Sequence, residues 1–113
     1  MASDRVLIIN LSESPDYQKL LDGEPQTLGM RAGRVYLHPG KSCGQHSTGS
    51  HEEVLVFLAG QGELLVGEEG SVKVGEGRVA YISPNTPHDV KNTGTEPLTY
   101  VYCVAPVASR FRK

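Results

Sequence analysis

From Arg34 onward the chain is cut at short intervals by glycine and proline, and this spacing limits its fold more than any other feature. The segments left between the cuts are residues 35–38, 43–48, 53–58, 63–66, 71–74, 79–82, 88–91 and 98–105. Each is the length of a strand and too short for an independent helix. The joints are Pro39-Gly40, Gly49-Ser50, Gly60-Gln61-Gly62, residues 67–70, Gly75-Glu76-Gly77, residues 84–87 and residues 93–97. Glycine supplies the positive φ that such turns require. Eight short strands in about seventy residues predict an all-β chain, a small antiparallel β-barrel or two-sheet jelly roll. At 113 residues the chain is one domain's worth. Residues 34–105 read as the barrel, residues 1–33 as an arm and residues 106–113 as a tail.

Strand alternation orients one segment. If Glu53 faces inward, so do Leu55 and Phe57, and Val54, Val56 and Leu58 face outward. A solvated outer face would not be wholly apolar, so something is expected to cover it. Residues 6–11, an apolar run interrupted only by Asn10, read as a buried strand able to do this in the same chain or in a neighbour. A homodimer is the expectation that follows. Residues 16–21 read as a helical turn or a second short strand, stopped by Gly23 and Pro25.

Charge narrows the partners. Eleven basic and 13 acidic side chains leave a formal charge of −2 with no basic face, which argues against nucleic-acid binding. Arg110, Arg112 and Lys113 cluster on the tail, where they read as solubilising. The longest strongly apolar stretch, residues 54–59, is far too short to span a bilayer, and residues 1–10 carry no cleavable-leader pattern. The expected partner is a small molecule, with no nucleic acid and no membrane, and the expected location is cytoplasmic. Cys43 and Cys103 lie 60 residues apart, outside any CxxC pair, and read as reduced thiols, with a disulfide or a thiolate ligand as the alternative.

Three of the four histidines sit where the chain enters or leaves a strand. His46, Glu53 and His88 offer two imidazoles and a carboxylate, a set that can hold a divalent transition metal such as Fe, Mn, Ni or Zn with positions left open. Spacing in a single element does not bring them together; barrel closure would have to. Read from composition alone, they can equally be ordinary turn histidines and a solvated glutamate.

Two segments resemble the motifs of the cupin superfamily. The first runs Gly40, five residues, His46-Ser47-Thr48, four residues, Glu53, six residues, Gly60. The second runs Gly77, five residues, Ser83-Pro84-Asn85, two residues, His88, three residues, Asn92. Family spacing is kept throughout, and the resemblance covers about residues 34–104. It implies a double-stranded β-helix with a metal in the barrel, held here by His46, Glu53 and His88. The family's second histidine is Thr48 in this chain, a poor ligand. His51, just past the Gly49-Ser50 turn, is therefore either a replacement ligand or an exposed or hydrogen-bonding residue. Ser83 and Asn85 stand where the family has Pro and Gly, and Asn85 can carry the left-handed turn that aims His88.

Among other polar residues, Gln45, Cys43 and Tyr81 are candidates for the interior, with packing or turn roles as the alternative. Tyr36, Tyr100 and Tyr102 read as wall residues and Asn92 as a cap on backbone groups. No free catalytic base is evident, which turns expectation toward chemistry done by the metal. The resemblance implies a metal-dependent oxygenase or isomerase acting on a small molecule, or a non-catalytic module binding a small molecule or sugar.

Overall fold

The structure, a computed structural model, describes residues 5–108. It is all-β and antiparallel. Eight strands are present: β1 (Gln18–Asp22), β2 (Arg31–Leu37), β3 (His51–Ala59), β4 (Gln61–Val66), β5 (Ser71–Gly75), β6 (Val79–Ile82), β7 (His88–Lys91) and β8 (Leu98–Pro106). They form a five-stranded sheet in the order β1-β2-β8-β3-β6 and a three-stranded sheet in the order β5-β4-β7. No helix occurs among the described residues, so none is long and apolar enough to cross a membrane.

Alternation puts one face of each strand inside. Glu53, Leu55 and Phe57 of β3 are buried, and Val54, Val56 and Leu58 face outward as the sequence predicts. The core joins Leu37, Leu55, Phe57 and Leu98 of the larger sheet to Leu64, Val74 and Val90 of the smaller. Fully burying such a side chain contributes about 1.5–3 kcal/mol, so a chain this short depends on each of them. Tight approaches close the barrel. A Cβ on Gly60, whose φ is +89°, would collide with the Pro97 carbonyl. Asn92 is fully buried and donates to the carbonyls of Leu37 and Glu96 while accepting from the Gly94 amide. It caps backbone groups, the role its position suggests.

Three expectations change. Residues 6–11 form no strand, and Val6, Leu7, Ile8 and Leu11 are exposed, Ile8 at 76%. The run is apolar, but no strand among the described residues pairs with it to give it a register. The tail from residue 109, with Arg110, Arg112 and Lys113, lies outside the described residues. Residues 43–48 are not a strand either. They run beside β7 through two isolated bridges, Ser42 to Lys91 and His46 to His88. The intervals between these bridges differ, four residues on one side and three on the other, so one extra residue is accommodated. Gly44, at φ +97°, takes up the slack, and its amide turns to the Asp89 carboxylate at 2.9 Å. Residues 16–21, left open between helix and strand, contribute most of β1. That strand pairs with β2, which itself begins at Arg31, three residues before the sequence pattern suggests.

The arm is fastened to β2. Arg34 is buried on the outer face of the sheet and donates from Nη2 to the Ser14 and Asp16 carbonyls at 2.7 and 3.0 Å. Tyr17, one residue on and half exposed, lays its hydroxyl 2.5 Å from that of Tyr102. Only glycine fits at position 33, because a Cβ there would strike both tyrosine rings.

Candidate metal centre

His88 opens β7, Glu53 stands near the start of β3, and His46 lies on the irregular segment beside β7. Residues directly opposite in an antiparallel pair point to the same face. The His46–His88 bridge therefore sends both imidazoles inward, with ring centroids 4.4 Å apart. Cys43 and His46 have opposite parity, yet both line the interior, because the extra residue at Gly44 resets the alternation between them. One ligand-type atom from each of His46, Glu53 and His88 falls within 4.8 Å of the others.

The hydrogen bonds fix which atoms are offered. His46 Nδ1 donates to the Gly44 carbonyl at 2.9 Å, and His88 Nδ1 donates to the Thr86 carbonyl at 2.8 Å. Both rings thereby present Nε2, the arrangement in which a backbone acceptor sets the tautomer of a ligating histidine. Asn85, at φ +59°, carries the turn into β7 that aims His88. His88 Nε2 and Glu53 Oε1 stand 2.8 Å apart, buried and with no other partner. Burial pushes the Glu53 carboxyl above its ordinary range, against the opposing pull of His88 and His46. A buried pair left short of partners is the mark of a site that a proton or a cation completes. The residues present fit a divalent metal.

These groups help line a cavity of about 360 Å³. Val35, Leu55, Val90 and Val104 give it an apolar wall, and Tyr100, Tyr102, Cys43 and Thr48 give it polar points. Burial raises the Tyr100 and Tyr102 phenols and the Cys43 thiol, which leaves all three neutral hydrogen-bonding groups at pH 7. Cys43 Sγ accepts from the Val90 amide and donates to Asp89, each at 3.3 Å.

Of the other residues singled out from the sequence, His51 does not join the set. Thr48 Oγ1 donates to the His51 carbonyl at 3.1 Å, and His51 pairs with Pro106 at the extreme end of β3. Its side chain lines a separate depression with Asp22, Glu24 and Pro106. Thr48 itself, in the position of the family's second histidine, faces the cavity. Gln45 is exposed and absent from the lining. Tyr81 is on the outer face of β6 and donates to Glu52 at 2.9 Å. Tyr36 packs edge-on against His38, away from the site. Sequence reasoning missed Arg31 as a lining residue and Tyr17 as the partner of the lining residue Tyr102. Extending β2 back by parity from Val35 through Gly33 would have found Arg31.

Two facing antiparallel sheets with a His-Glu-His cluster between them define a small barrel of the double-stranded β-helix class. The cupin-domain family model matches residues 33–104, more than half of the chain, and the chain belongs to that family. Solved structures agree on the fold. A protein with a double-stranded β-helix domain from Klebsiella pneumoniae superposes with a TM-score of 0.73 at 22% identity, over 94% of this chain and 89% of that one. A cupin 2 conserved barrel protein from Salinispora arenicola gives 0.73 at 19% identity, over 90% and 91%. An uncharacterized protein of Methanocaldococcus jannaschii is 34% identical over 61 residues, 54% of this chain and 48% of its own length. The chain thus matches about half the length of that curated relative.

Proposed function

We propose that this cupin binds a divalent transition metal, Fe, Mn, Ni or Zn, through His46 Nε2, His88 Nε2 and a Glu53 carboxylate oxygen, and uses it on a small molecule as an oxygenase or isomerase does. The observation that carries the reading is the pair of backbone-anchored imidazoles, each presenting Nε2 within 4.8 Å of a buried carboxylate. A bound metal would supply Lewis-acid or redox chemistry in the cavity. The protein's own contribution is to hold the ligands in place, to line the cavity with the valine and leucine wall, and to present the Tyr102 and Thr48 hydroxyls to a bound molecule. The two cysteines are free, which accords with a reducing, cytoplasmic setting.

A non-catalytic module binding a small molecule or sugar is the second reading, favoured by the absence of a spare acid or base in the lining beyond the proposed ligands. Metal analysis of the purified chain tests the first. His46→Ala and His88→Ala should each lose most of the bound metal, whereas His51→Ala should retain it. Equal metal content in wild type and the first two variants would refute the site.

A further inference from the structure

One charged side chain at the cavity has no hydrogen-bond or ion-pair partner among the described residues. Arg31 stands at the rim, on the inward-facing parity of β2, and lines both the cavity and the depression beside it. The residue is exposed, and among the described residues its side chain makes no hydrogen bond or ion pair, although Asp22 and Glu24 line that neighbouring depression. Asp22, its partner across the β1–β2 ladder, is bridged to Lys19 at 3.1 Å instead. The Arg31 stem lies against the bare backbone of Gly23, where a Cβ would sit 3.2 Å from Cγ. The guanidinium is near enough to Tyr102 to act on its phenol electrostatically. Arg31 is thus the cavity's one permanent cation, next to the Tyr17–Tyr102 hydroxyl pair.

Charge balance gives this placement its meaning. Without a metal, Arg31 and an ionised Glu53 would cancel. With a divalent ion added, the same lining carries a net positive charge, in a wall whose remaining groups are apolar or neutral donors. A partly enclosed cavity of that charge favours an anion over a neutral molecule of equal size, the more so at low ionic strength. A guanidinium matches a carboxylate through paired, nearly parallel hydrogen bonds.

We infer that the cavity takes a small carboxylate-bearing molecule, with Arg31 holding one carboxylate at the rim while a second oxygen group reaches the His46–Glu53–His88 cluster. The inference rests on the metal-site reading. Arg31 is here a specificity-determining residue, with no part in holding the metal.

The test uses the cobalt-loaded chain, with malonate as the anionic probe and imidazole as a neutral metal-seeking one, followed by calorimetry and by the visible cobalt bands. Wild type should bind malonate, and Arg31→Gln should weaken it roughly tenfold or more, the loss expected for a charge-assisted hydrogen bond. Cobalt content and imidazole affinity should stay at wild-type values, and Arg31→Lys should recover part of the malonate affinity. Unchanged malonate binding in Arg31→Gln overturns the inference and leaves the metal reading standing. A chain that takes up no cobalt refutes the metal reading. In that event, malonate binding to the metal-free chain that Arg31→Gln abolishes would keep the anion assignment, and its absence would overturn both.

Discussion

Glu53 has two possible companions, a proton or a metal, and its burial makes the choice depend on pH. In the metal-free chain the raised carboxyl keeps its proton at pH values where the unfolded chain has lost it. The folded state then binds more protons, so its stability falls as pH climbs from the ordinary glutamate range through the raised value. Urea unfolding of metal-free protein across that window should show this decline, and Glu53→Gln should flatten it. A decline of equal size in the variant would assign the pH dependence to other groups. Asn92 offers a second residue-scale prediction. Its amide satisfies three backbone groups in a fully buried position, so Asn92→Ala should cost about 2–4 kcal/mol from unsatisfied acceptors and a cavity. Thermal melting would read this as a lowered Tm.

Among the elements, the segment before β3 matters most. Residues 43–48 read as a strand because they fill a strand-length interval between the turns at Pro39-Gly40 and Gly49-Ser50, but a regular strand could not turn both Cys43 and His46 inward. The extra residue at Gly44 makes that possible, and its φ of +97° is a conformation that side chains other than glycine resist. Nothing lies within 4 Å of a Cβ built there, so the constraint is conformational and not steric crowding. Gly44→Ala should therefore fold but displace His46, weakening metal affinity by about tenfold or more with a Tm change of only a few degrees. Metal titration together with melting checks both halves. The motif spacing around His46 was legible in the sequence; the break in alternation that aims it was not, because one glycine in a polar run does not announce a bulge.

On the scale of the whole molecule, the outer face of the larger sheet carries the apolar row the sequence pattern pointed to. Val54 lies between Tyr81 and Cys103, and Val56 lies between Val79 and Val101. Val79 and Tyr81 are 67% and 60% exposed, and the arm residues Val6, Leu7 and Ile8 are exposed as well. We propose that a second copy of the chain covers this face as a homodimer. Sedimentation equilibrium at micromolar concentration should give twice the chain mass, and Val79→Glu should shift the balance toward monomer. A strict wild-type monomer would discard the proposal.

Local pattern and turn chemistry by themselves determined the all-β class, seven of the eight strands, the inward face of β3 and, through the two motifs, His46, Glu53 and His88. The tertiary structure decided which other residues join them. It leaves His51 on a different depression, turns Cys43 inward across the Gly44 bulge, and sets Arg31 at the rim with Tyr17 reaching across Gly33 to Tyr102. The reason is geometric. Period and spacing are properties of neighbouring residues along the chain, whereas a cavity wall is assembled from strands whose relative register depends on bulges and sheet closure that no single segment encodes.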